Sequence, residues 1–143
     1  MAILVMAALV APALAQGRAR GRNYSKADVE RIIKRVEDNS DDFKKLIDRE
    51  MDRSAIDKTR LEDNIWEQTK DLENALDRLR RKFDRSDTWL ETREEVSDVL
   101  KEARDINQLL NRVRITGKVQ AAWATLRYDL NTLAGVYNLG RLR

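Results

Sequence analysis

The sequence predicts an all-α fold: a four-helix up-down-up-down bundle following an N-terminal signal segment. Three observations carry that expectation. Apolar residues recur at alternating spacings of three and four in four long stretches, the repeat that lines one face of a helix. Only five Gly and one Pro occur in 143 residues while 37% are charged, which suits long solvated helices better than a turn-rich sheet. Several stretches open on a hydroxyl residue with an acid three positions later, the grammar of a helix start. Beyond the apolar leader no run alternates as a strand would.

The leader, residues 1–15, carries no charged side chain; Ile3 to Val10 is apolar and Ala13-Leu14-Ala15 has the small-x-small form of a signal-peptidase site. No Lys or Arg precedes the run, so the only positive charge ahead of it is the α-amino group, unless translation starts upstream. The pattern predicts cleavage after Ala15 and a periplasmic or secreted mature chain beginning at Gln16. The leader is too short to span a bilayer as a helix, and no transmembrane span is expected in the mature chain. Residues 16–24 follow as a flexible basic arm with Arg18, Arg20 and Arg22.

The bundle itself is expected over 25–139. Ser25 and Asp28 form the first capping pair, ahead of Val29, Ile32, Ile33, Val36, Phe43, Leu46, Ile47 and Met51. Ser40 interrupts this stripe within Asn39–Asp42, either as a polar layer in one continuous helix, the favoured reading, or as a break. A turn at 53–58 leads to Thr59 and Glu62, and then to Leu61, Ile65, Trp66, Thr69, Leu72, Ala75, Leu76, Leu79 and Phe83. Asp84–Asp87 reads as the next break, without the Gly or Pro that would make it firm. Thr88 and Glu91 open the third stripe of Trp89, Thr92, Val96, Val99, Ala103, Ile106, Leu110 and Val113, widened by Leu100 and Leu109. Thr116 caps the fourth, which has the densest stripe: Val119, Trp123, Leu126, Leu130, Leu133 and Tyr137. Gly140 is the expected stop, and 140–143 a tail with solvated arginines. Short connections force neighbouring helices antiparallel.

Chemistry is sparse. With neither His nor Cys, the chain lacks the commonest general base and metal ligand, any disulfide and any thiol nucleophile. No phosphate loop or dinucleotide fingerprint occurs, and the acids lie largely off the apolar stripes. The expectation is a non-enzyme with no cofactor and no metal. Asp57, Glu62, Asp63 and Asn64 cluster at one turn, without the spacing of a calcium loop. Core packing is the simplest role for Trp66, Trp89 and Trp123, a shared ligand-binding aromatic layer the sharper one. Arg112, Arg114, Lys118 and Arg127, with Arg104 one turn back, are the densest basic region outside the arm, but 28 basic against 25 acidic side chains leave only +3.

At the fourth helix, Trp123, Leu126, Arg127, Asp129, Leu130, Asn131, Leu133, Ala134 and Tyr137, together with stretches 52–65 and 76–80, resemble a group of uncharacterised exported helical proteins of soil bacteria, of the acidobacterial type. The resemblance implies export and a helical fold; it carries no activity and no catalytic residue. Trp123, Arg127, Tyr128, Asp129, Asn131 and Tyr137 are thereby the candidate interaction or fold-locking residues. Pairing of Arg127 and Asp129 with the turn at 57–64 would mark a fold lock, and solvent exposure a binding surface. The functional expectation is an envelope structural or helper protein that binds another envelope protein or itself. The alternatives are a bundle that binds a small apolar ligand, and one that holds a polyanion, nucleic acid or anionic lipid through the arm and the Arg112–Arg127 region.

Overall fold

The computed structural model describes residues 23–51, 60–113 and 115–143. The signal segment, the arm as far as residue 22, the turn at 53–58 with Asp57, Thr59, Arg114 and the side chains of Met51 and of residues 60–62 lie outside the described residues. The chain folds as an all-α four-helix bundle: α1 Lys26–Met51, α2 Arg60–Arg85, α3 Arg93–Leu110 and α4 Gly117–Val136. A single 3-10 turn, Trp89–Thr92, precedes α3. The described residues contain no strand.

Helix starts follow the side-chain chemistry. Asp28 accepts from the Ser25 amide at 3.0 Å while Ser25 Oγ accepts from the Asp28 amide at 3.1 Å, a reciprocal cap with Asp in place of Glu. Both the backbone amide and hydroxyl of Thr88 donate to Glu91 Oε1, at 2.9 and 3.2 Å. These bonds hold the Asp28 and Glu91 carboxyls below their ordinary pKa. Thr116 Oγ accepts from the Val119 amide at the start of α4.

Cross-bundle contacts set the directions. Lys26 reaches the Ser86 carbonyl, Arg80 pairs with Glu37 at 2.6 Å and Lys44 with Glu73 at 2.6 Å, so α1 and α2 run antiparallel. Phe43 meets Trp123 with ring centroids 5.3 Å apart, and Asn39 meets Asp129, so α4 runs antiparallel to α1 as well. The α1–α4 and α2–α3 interfaces are extensive; α1–α2 and α3–α4 are looser. One apolar core runs through all four helices, from Val29 to Ile47, Ile65 to Phe83, Val96 to Leu110 and Val119 to Tyr137.

The stripes read from the sequence are the buried faces, with three corrections. Trp66 is 45% exposed: Ile65 takes the core position, and its neighbour projects outward beneath Lys70, whose ammonium sits 5.2 Å from the ring centroid. Consecutive residues on a helix lie about 100° apart, and here the core takes the Ile65 side of the helix and leaves the Trp66 side to solvent. The third helix ends at Leu110, leaving Val113 beyond it in a turn. The fourth stops at Asn138 instead of Gly140. Asn138 takes φ 52°, its amide donates to Gly135 O, and the Leu139 amide donates to Ala134 O at 2.8 Å. That bond pattern is the paired closure of a helix C-terminus with Asn in the left-handed position. The Asn39–Asp42 segment stays helical, with Ser40 buried as a polar layer, and the break after Arg85 is real.

Candidate functional site

The candidate residues on α4 separate into different environments. Asp129 is 5% exposed and accepts from Asn39 Nδ2 at 2.7 Å and from Arg35 Nε at 3.3 Å. It locks α4 to α1, because the antiparallel register places the middle of α4 beside the middle of α1; most of the turn at 57–64 lies outside the described residues. Arg127, two residues before it and so on the other side of the helix, is half-buried, and its side chain forms no ion pair with an acid among the described residues. Tyr128 is 72% exposed. Arg127 and Asp129 therefore play different parts.

Trp123 is buried and its indole N–H donates to Asn107 Oδ1 at 2.9 Å. The other side of that amide, Asn107 Nδ2, donates to the main-chain oxygen of Arg143 at 2.7 Å. Asn131 brackets the next residue: its Oδ1 accepts from the Leu142 amide at 2.7 Å and its Nδ2 donates to the Leu142 carbonyl at 3.1 Å. Arg104 donates to the Gly140 carbonyl at 3.2 Å. Residues 139–143, of which 140–143 are read from the sequence as a tail, thus lie as a strap in the groove between α3 and α4, parallel to α3, with the Leu142 side chain buried. The looseness of the α3–α4 interface is what makes room for it.

At the far end of α4, Tyr137 packs edge-on against Trp89, with centroids 5.1 Å apart. Trp89 Nε1 donates to the Tyr24 carbonyl at 3.0 Å. The hydroxyls of Tyr137 and Thr92 lie 2.8 Å apart, and Thr92 Oγ is 2.7 Å from the Trp89 carbonyl. The Tyr137 hydroxyl also donates to the Trp89 carbonyl at 3.1 Å, so both hydroxyls converge on one carbonyl oxygen. Burial raises the Tyr137 pKa above its ordinary value, against the Thr92 hydrogen bond that lowers it. Because the folded phenol holds its proton more tightly, its stabilising contribution is complete below the ordinary tyrosine range of about 10 and is lost as pH rises through the folded value. Urea midpoints measured up that alkaline limb should fall more steeply for the native chain than for Tyr137→Phe. Parallel curves would show that this phenol does not contribute.

The three tryptophans form no shared layer: Trp123 packs on Phe43, Trp89 on Tyr137, and Trp66 faces outward. Among the described residues, three surface grooves are lined as follows. One of 590 Å³ is lined by Asn23, Tyr24, Asp28, Arg31, Ile32, Arg35 and Thr132. An acidic one of 290 Å³ lies between α1 and α2 around Glu37, Asp38, Asp41, Glu73 and Asp77, with the buried Ser40 Oγ unpartnered at its base. Two of its acids are engaged, Glu37 by Arg80 and Glu73 by Lys44, and these hydrogen bonds raise the pKa of both bases. The third, 280 Å³, is lined by Arg104, Asn107, Gln108, Arg141, Leu142 and Arg143. None of these grooves is lined by a tryptophan.

Among the described residues no three acids converge as a metal-binding group would require, and no helix is long and apolar enough to cross a membrane. Of the basic residues singled out in the sequence, Arg104 stands with two arginines from the chain's last residues. Arg112 and Lys118 are exposed, whereas Arg104 is joined by Arg141 and Arg143 from the strap. Sequence reasoning missed Asn107 and Leu142, and placed Arg104 only with the basic region around Arg112. The available signal was Asn107 beside Ile106 on the buried face of α3, and a leucine isolated between arginines. Comparison of the chain with protein-family models, curated proteins and solved structures finds no match.

Proposed function

We propose that the chain is an exported, non-enzymatic helical bundle that acts by binding another envelope protein. The observation that supports this most directly is the exposure of three large apolar side chains, Trp66, Leu90 (60%) and Tyr128, on a bundle whose core is otherwise filled. Exposed aromatics of this size are favoured in protein contacts, where an apolar ring and a polar edge are both used. The fate of the polar groups supports the same reading. Asp129, Asn107, Thr92 and Tyr137 are engaged in holding helices and strap together, and the carboxyls whose pKa moves, Asp28 and Glu91, move downward through helix caps. A general acid would instead need its pKa raised. Export rests on the leader and on the resemblance to exported bacterial proteins.

Two measurements test this reading. Expression in a Gram-negative host should give a periplasmic chain whose N-terminal residue is Gln16; a cytoplasmic chain retaining residues 1–15 refutes export. The mature chain, immobilised against an envelope extract, should retain a protein partner that Trp66→Ala or Tyr128→Ala releases. These surface substitutions should leave folding stability within about 0.5 kcal/mol of the native value. Retention unaffected by both would remove the exposed aromatics from the argument.

A further inference from the structure

We propose that the groove between α1 and α2 is a binding site for a primary ammonium group on an alkyl chain, with Ser40, Asp41 and Asp77 supplying its acceptors. The site does not use the exposed aromatics and does not rest on the protein-binding reading.

The helix carries a hydroxyl where packing asks for none. Along α1, Val36, Ser40, Phe43 and Ile47 keep the three-and-four spacing, so Ser40 occupies a core position. It is 1% exposed, and its Oγ has no hydrogen-bond partner within the protein. Alanine there would keep the helix and leave no buried polar atom unmatched, so for the bundle alone the hydroxyl is a cost. Ser40 lines the 290 Å³ groove together with Asp41, Leu76 and Asp77.

The charges around it are arranged to receive a cation. Each end of the groove is closed by a salt bridge between the helices, Arg80 to Glu37 and Lys44 to Glu73, both at 2.6 Å. These pairs stand seven residues apart on each helix, so roughly 10 Å of groove lies between them. Within that span acid faces acid. Asp41 on α1 and Asp77 on α2 both line the groove, and neither pairs with a base among the described residues. Lys44 is close enough to feel Asp41, but its ammonium is bonded to Glu73. A chain with a net charge of +3 thus keeps a negative groove at one of its looser interfaces.

The acceptors select the ligand. A hydroxyl and two carboxylates from two helices offer oxygens in several directions. An ammonium group brings three donors that rotate to meet them and no acceptor. A guanidinium is a planar fork suited to both oxygens of one carboxylate, the way Arg80 holds Glu37 through Nε and Nη2. A metal ion fits less well, because no three acids among the described residues converge on a point. Leu76 gives the alkyl stem an apolar wall. A free linear amine and a lysine side chain both present this head.

The test is a titration of the full chain with n-butylammonium at low salt, read from the amide resonances of Ser40, Asp41 and Asp77. Saturable shifts with a Kd on the order of millimolar are expected, the scale for one small charged head. Tetramethylammonium, with the same charge and no N–H, should bind at least about tenfold more weakly, and Ser40→Ala and Asp77→Asn should each weaken n-butylammonium about tenfold. Ser40→Ala should also raise the urea midpoint of the unliganded chain, which shows that the variant folds and that the hydroxyl does not serve packing. Acetyl-Gly-Lys-Gly-amide separates the two sources: binding at least as tight as n-butylammonium assigns a protein lysine, and weaker binding a free amine; both support the site. Four outcomes overturn it: no shift at about 50 mM n-butylammonium, far above that Kd; equal binding of tetramethylammonium; tighter binding of Mg²⁺; or native affinity in Ser40→Ala.

Discussion

Replacing Trp123 with alanine is expected to destabilise the bundle by about 3–5 kcal/mol, the range for truncating a buried large aromatic. The indole fills the space beside Phe43 at the α1–α4 interface, so its loss leaves a cavity that only a shift of one helix could close. The same substitution strips Asn107 of its hydrogen-bond donor and loosens the strap at Arg143. Urea unfolding checks the magnitude. A cycle with Phe43→Ala should show about 0.5–1.5 kcal/mol of coupling between the rings. A loss below 1 kcal/mol for Trp123→Ala would mean that the ring is not packed in the core.

Asp129→Ala should cost about 1.5–3 kcal/mol, because it removes an ionised acceptor and leaves the Asn39 amide facing α4 without a partner. Asp129→Asn should cost less, since its carbonyl can still accept from Asn39. Arg35→Ala should cost under about 1 kcal/mol: the arginine is half in solvent, where its pairing with Asp129 is screened. The predicted order, Ala then Asn at 129 and Arg35→Ala last, identifies the hydrogen bond to Asn39 as the lock. If Arg35→Ala proves as damaging as Asp129→Ala, the ion pair carries the contact instead.

These two residues show what a sequence can and cannot convey about a bundle. Trp123 belongs to a stripe with regular spacing, so its burial was legible. Asp129 lies between Tyr128 and Leu130, and nothing in the spacing says whether it faces water or the neighbouring helix. That depends on the angular position of α1, which brings Asn39 within reach. Trp66 illustrates the opposite error. Its hydrophobicity argued for the core, but Ile65 already occupies that face, and the phase of a stripe with two adjacent apolar residues is settled only when the partner helix is in place.

The amino-acid sequence by itself determined the all-α class, the four helices, the capping residues at Ser25, Thr88 and Thr116, and nearly all of the core, because these follow from local backbone chemistry and from the helical period. The tertiary structure decided which interfaces are tight, where Asp129 finds its partners, and that residues 139–143 return to lie between α3 and α4. The strap is held by Asn107, Asn131 and Arg104, which are 11 to 36 residues away along the chain. Polar contacts of that range have no period, so only the packed bundle brings them together.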